Sequence, residues 1–252
     1  MEHPFSGELS YGIFNTLAYA AAGVLFYLEA RRKHVASEPL LYIVLGALVG
    51  ALIGSRVGSA LFVYRDFYVA HPCALFSPAV GGKTLVGGLI GGYAGVVIAK
   101  KILKVKRSTG DLFAPGLALG VAIGRIGCFL NGCCGGKETD LPWGVVIDGV
   151  SRHPTQIYES VFCFLLFIYL WAIRKRPRKE GDLFKIFLLA YAFFRFWIEF
   201  LRADQVVAAF GLSMAQVVSA AVVIVLVAYF CSAFLRGRSD GRHSSASGKD
   251  AL

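Results

Sequence analysis

The chain has 252 residues, 56% of them hydrophobic and 17% charged, with a formal net charge of +10. In a soluble protein such a basic balance would suggest nucleic acid. Here the Lys and Arg residues stand in short clusters between long apolar runs, a pattern of loops beside a membrane, so nucleic acid is set aside as a partner.

About 20 apolar residues in a helix cross the hydrocarbon core of a bilayer. Taken in chain order, seven such runs are predicted, over 10–30, 40–64, 84–99, 112–130, 157–173, 184–201 and 214–235. The expected fold is therefore all-α: a polytopic membrane protein with seven transmembrane helices. The first run has no basic stretch before it and no small-residue cleavage site, so it is expected to be retained as a helix. Loops of alternating side place the clusters at 31–33, 100–107 and 174–185, and the basic residues of the tail, together. By the positive-inside bias that side is the cytoplasm, which puts the N-terminus outside, the C-terminus inside and Gly132–Arg152 facing outward. The loops are too short for a soluble domain. One membrane domain over 1–235 is expected, followed by a polar, Ser- and Gly-rich tail at 236–252 that is expected to be disordered.

Glycines recur every four residues at Gly46, Gly50, Gly54 and Gly58, and again at Gly116, Gly120 and Gly124, with a denser set at Gly87, Gly88, Gly91, Gly92 and Gly95. Small residues at that spacing let helix backbones approach closely in lipid, so packing grooves are the expected role. Charges at membrane depth are expensive and face a polar interior, which singles out Arg56, Arg125, Arg195 and Glu199. Arg195, Glu199 and Arg202 fall at i, i+4 and i+7, on one face of the sixth run. A structural ion pair between Arg195 and Glu199 is one reading. Three intramembrane arginines need more anion than one glutamate supplies, however, and a phosphate headgroup would meet that need with bidentate geometry.

The segment His153-Pro154-Thr155-Gln156-Ile157-Tyr158-Glu159 runs into the fifth span. Pro154 disfavours helix at His153 and suits a first helical turn, so the imidazole is expected at the membrane boundary with Glu159 one turn inside. Interfacial anchoring and a site role both fit His153, Gln156, Tyr158 and Glu159. The stretch GRIGCFLNGCCGG at Gly124–Gly136 carries Cys128, Cys133 and Cys134. Its C-x4-C-C spacing is a poor match to paired zinc ligands, and no metal is expected. A disulfide to Cys73 in the first outer loop, a nucleophilic thiolate favoured by Arg125 one turn before Cys128, and plain packing all stay open. Cys163 and Cys231, inside apolar helices, are expected to be buried packing residues.

Several segments together resemble the bacterial prolipoprotein diacylglyceryl transferase family: Tyr11-Gly12, Gly54-Ser55-Arg56, the run GGLIG from Gly87, Asp111, GRIG at Gly124–Gly127 with Phe129, Asn131 and Gly132, HPTQIYE, FRFWIEFLRADQ and GLSMAQVVS. The resemblance covers nearly the whole chain. It implies a plasma-membrane (bacterial inner-membrane) multi-pass transferase, with its active site toward the outer leaflet, that moves a diacylglyceryl group from phosphatidylglycerol to a cysteine thiol of a lipoprotein precursor. No cofactor is implied; the partners are the phospholipid, the precursor peptide and the bilayer. By the same resemblance Arg125 and Arg195 hold the lipid phosphate, Glu199 and Arg202 organise the site, and Tyr11, Arg56, Asn131, Gln156, Tyr158 and Glu159 line it. The pattern differs at Val86, where the family has histidine, at Cys128, where it has asparagine, and at Cys133, where it has glutamate. Valine cannot accept a proton. The expectation is thus a diverged transferase in which His153, Cys128 or Cys133 serves the chemistry beside Arg125 and Arg195. The alternative is a lipid-binding or thiol-redox membrane protein on the same scaffold.

Overall fold

The computed structural model describes residues 8–35, 37–62, 65–71, 85–106, 108–147, 149–176, 179–203, 207–209 and 211–247. Eight α-helices are present among them: α1 (Glu8–Arg32), α2 (Ser37–Phe62), α3 (Arg65–Ala70), α4 (Leu85–Ile102), α5 (Gly110–Leu130), α6 (Thr155–Ile173), α7 (Asp182–Ile198) and α8 (Met214–Ser247). The helical class expected from sequence holds, with two small additions. Strands β1 (Val145–Ile147) and β2 (Val150–Arg152) form one antiparallel hairpin, and β3 (Val207–Ala209) and β4 (Leu212–Ser213) another.

Among the described residues five helices, α1, α2, α5, α6 and α8, are long and apolar enough to cross a membrane. The other two predicted spans coincide with α4 and α7. The latter is a 17-residue helix carrying Asp182 and Arg195, and the former an 18-residue helix ending in Lys100 and Lys101. Helix α8 continues to Ser247, through most of the tail expected to be disordered from Arg236. The described helices leave many large apolar side chains uncovered, among them Tyr19, Ile53, Val161 and Ile224, as lipid-facing surfaces do. Cys231 belongs with them. It is exposed on α8 and not buried as expected, because little of that helix is covered among the described residues.

The chain forms two compact units, Tyr27–Ser108 and Met1–Phe26 with Thr109–Leu252. In the first, α2 and α4 cross through their glycines. A Cβ added to Gly46 would lie 2.9 Å from the Gly95 carbonyl, and one on Gly54 would lie 2.7 Å from the Gly91 Cα. Backbone, which cannot move aside, occupies that space. Gly54→Ala is therefore expected to lower the thermal stability of the detergent-solubilised protein by an overpacking cost of about 1–3 kcal/mol. Gly23→Ala, where a Cβ meets nothing within 4 Å, should be neutral or stabilising in the same assay.

In the second unit, α5 packs on α6 and α7 around Ala114, Ala118, Leu166, Leu170, Leu183 and Phe187. Small residues again set the approach, since a Cβ on Gly116 would lie 2.9 Å from the Ala22 carbonyl of α1. Asp111, buried at the start of α5, accepts hydrogen bonds from the Gly181 N–H at 2.9 Å and the Phe184 N–H at 3.1 Å. Those are otherwise unpaired donors at the start of α7, so Asp111 caps a neighbouring helix and pins the two helix starts together. Asp111→Ala is expected to cost about 1–3 kcal/mol of stability, read as a lower melting temperature, because it leaves buried donors unsatisfied. Asp111→Asn, which keeps an acceptor, should cost less.

Candidate functional site: a buried arginine–carboxylate cluster beside three thiols

The site lies where α5 and α7 end and α6 begins. Glu159, 1% exposed, sits one turn inside α6 as expected. Its carboxylate meets two guanidinium groups, Arg125 Nε from α5 at 3.0 Å and Arg195 Nη1 from α7 at 3.4 Å. The Tyr191 hydroxyl, one turn before Arg195, donates to its other oxygen at 2.8 Å. Arg195 also reaches Glu199, with Nη2 to Oε2 at 2.7 Å. The ion pair along α7 is present, but it is half of a bridge that joins three helices.

The i, i+4, i+7 face does not continue to Arg202, because α7 tightens into a 3₁₀ turn at Glu199–Leu201 and Arg202 is extended. The tighter turn still brings Arg202 Nε to 3.9 Å from Glu199. Glu199 accepts in addition from the Ser213 hydroxyl at 2.9 Å. Ser213 precedes α8 and forms a capping box: the Gln216 N–H donates to Ser213 Oγ at 3.2 Å, and the Ser213 N–H to Gln216 Oε1 at 2.9 Å. Tyr191, Ser213 and Gln216 are the members that sequence reasoning missed. The S-x-x-Q spacing of Ser213-Met214-Ala215-Gln216 was a readable helix-start signal.

Three guanidinium groups thus share two carboxylates in a buried place. Arg195 Nε has no hydrogen-bond partner among the described residues, and the same holds for His153 Nδ1 and Gln156 Oε1. The cluster therefore holds an idle buried N–H beside paired guanidinium groups.

Beside it, α5 stops in a Schellman turn. Gly132, at a φ of 68°, takes the left-handed conformation that glycine adopts without strain. The Gly132 N–H donates to the Phe129 carbonyl at 3.0 Å and the Cys133 N–H to the Cys128 carbonyl at 3.1 Å. The returning chain lies across the start of α6. There Gln156 Nε2 donates to the Cys133 carbonyl at 2.7 Å and Thr155 Oγ1 to the Cys134 carbonyl at 3.1 Å. Next, the Gly136 N–H donates to the His153 carbonyl at 2.9 Å, and the Lys137 N–H to the Leu201 carbonyl at 2.7 Å. Gly136 allows this meeting, since a Cβ there would lie 2.6 Å from the His153 Cβ.

Cys128, Cys133 and Cys134 are free thiols drawn into one group. Burial pushes the Cys133 thiol above its ordinary pKa, against a hydrogen bond with Asn131 that works the other way. Asn131 is the C-cap of α5. Tyr158 accepts a hydrogen bond from Trp143 Nε1 at 2.8 Å, and its ring stands 6.3 Å from that of His153. Tyr11 of α1 has its carbonyl beside Gly127, and the residue is 40% exposed. Arg56 and Val86 belong to the other compact unit, on α2 and α4. Cys73 lies outside the described residues.

Long apolar helices around a buried cluster of charged side chains define a membrane protein with an internal polar site. Residues 9–232 match the family model described as prolipoprotein diacylglyceryl transferase. The chain is 35% identical over 210 residues to a phosphatidylglycerol–prolipoprotein diacylglyceryl transferase of Clostridioides difficile, covering 83% of this chain and 84% of that one. A protein of the same name from Geobacter sulfurreducens is 35% identical over 199 residues, 76% of each chain. Another from Cupriavidus metallidurans is 33% identical over 247 residues, 88% of each. The chain belongs to the prolipoprotein diacylglyceryl transferase family, and by family it is a transferase.

Proposed function

We propose that the chain transfers a diacylglyceryl group from phosphatidylglycerol to a cysteine thiol of a lipoprotein precursor, as the names of its relatives describe for them. The observation that carries this reading is the convergence of Arg125 and Arg195 on Glu159, with an unused N–H on Arg195. The phospholipid enters from the bilayer with its phosphate against the two arginines. A thiolate attacks the glycerol carbon, a sulfur–carbon bond forms, and the carbon–oxygen bond to phosphate breaks with its electron pair going to glycerol phosphate. Charge grows on that oxygen, where preorganised cations in a water-poor site contribute most.

The same site faces outward in this reading, with the N-terminus outside and the C-terminus in the cytoplasm. Support comes from the compact unit itself. Asp111 ties the start of α5 to the start of α7, next to the basic 174–185 segment, and the arginine cluster sits at the other ends of those helices. Residues 1–235 act as one enzyme in the plasma membrane, with Gln156, Tyr158, Asn131, Tyr11 and Arg56 contributing to substrate binding and His153 to proton handling. The direct test is purified full-length protein incubated with labelled phosphatidylglycerol and a precursor peptide. Label on a cysteine peptide but not on its serine counterpart supports the reading. No label on either, with well-folded protein, ends it.

A further inference from the structure

The expectation of no metal rested on linear spacing, and the fold changes the terms. The Schellman turn lays Cys133 back over the last turn of α5, and Cys134, at a φ of 64°, sits in a conformation rare for a non-glycine residue. Hydrogen bonds from Gln156 and Thr155 hold both carbonyls. As a result the Sγ atoms of Cys128, Cys133 and Cys134 all lie within 4.8 Å of one another. Three sulfurs at zinc bond lengths of about 2.3 Å in a tetrahedron stand about 3.8 Å apart, so small side-chain adjustments close the site.

We propose that Cys128, Cys133 and Cys134 bind one zinc ion as three thiolates and leave its fourth position to the acceptor thiol. The identity of that fourth ligand rests on the proposed transferase reading. Structural zinc sites are closed by four protein ligands, whereas three ligands leave a position for a reactant. Cys128 lies one helical turn beyond Arg125, which pairs with Glu159, so a thiol bound there stands next to the anion cluster. The acceptor S–H loses its proton to solvent on binding zinc, as metal-bound thiols do. The zinc-held thiolate attacks the glycerol carbon, the sulfur–carbon bond forms, and the carbon–oxygen bond breaks with its electron pair leaving on the phosphate. The product thioether, being neutral, is the weaker ligand and departs. Zinc stays divalent throughout.

Cobalt(II) tests this in the reduced, full-length protein in detergent. One equivalent per chain is expected to give a thiolate-to-cobalt charge-transfer band that zinc displaces. Cys128→Ser, Cys133→Ser and Cys134→Ser should each weaken binding by at least about 10–100-fold, the loss that even an outer partner brings. Cys163→Ser, buried elsewhere in α6, should bind as the parent does. A precursor peptide bearing cysteine, but not serine, should then change the cobalt ligand-field bands. Absence of stoichiometric binding overturns the proposal, as does binding that survives all three substitutions, a metal-free disulfide among these thiols in the isolated protein, or bands indifferent to the cysteine peptide. Transfer that proceeds at full rate after metal removal overturns the zinc site and leaves the transferase reading standing. A peptide-responsive cobalt site in a protein that transfers no lipid keeps the thiol-binding zinc centre and ends the transferase reading.

Discussion

Arg195→Ala is expected to reduce diacylglyceryl transfer by about 10²–10³-fold, the loss typical of removing one preorganised donor from a developing anion. The protein should still fold. Glu159 would keep Arg125 at 3.0 Å and Tyr191 at 2.8 Å, and Glu199 would keep Arg202 and Ser213, so neither carboxylate is stranded. Arg125→Ala should act similarly. Arg195→Lys should recover only part of the rate, because an ammonium group cannot span Glu159, Glu199 and a phosphate with one planar fork. Transfer of labelled lipid to a precursor peptide, at matched amounts of monodisperse protein, measures all three. Parent-like rates in Arg125→Ala and Arg195→Ala would remove the phosphate clamp from the mechanism.

The opposite substitution should act on stability. Glu159→Ala leaves the Arg125 guanidinium group, 14% exposed, without its carboxylate, while Arg195 keeps Glu199 at 2.7 Å. Breaking a buried pair from one side costs about 3–5 kcal/mol, because the remaining charge is neither solvated nor paired. A protein of this size would then melt lower by on the order of 10 °C. Glu159→Gln keeps the shape and an acceptor for Tyr191 and should lose less. Combining Glu159→Ala with Arg125→Ala should restore part of the loss, since one stranded cation is removed with its partner. Additive losses in that double-mutant cycle would show that the two side chains are not coupled.

Much of this was legible locally. The apolar runs matched helices to within a few residues at most ends, and the Gly46, Gly50 and Gly54 ladder did mark a close crossing. Pro154 did stand at the start of α6. Two further local signals were present in the chain: Asn131-Gly132 as a helix stop and Ser213-x-x-Gln216 as a helix start, both of which shape the site. Arg195 and Glu199 could be paired from spacing because they share a helix.

The role of Glu159 could not be read that way. Its partners come from α5 and α7, and nothing in the spacing of one helix records the rotation and depth of its neighbours. The thiols are similar, for C-x4-C-C looks unpromising as a ligand pattern until the helix stop folds residue 133 back over residue 128. By itself, then, the sequence determined the membrane setting, the helices, the family and the list of charged residues, because hydropathy, periodicity and motif order are properties of the chain read along its length. Only the tertiary structure decided which anion each arginine meets and which sulfurs stand together. Both depend on how three helix ends are brought to one place, and that is set by packing between helices.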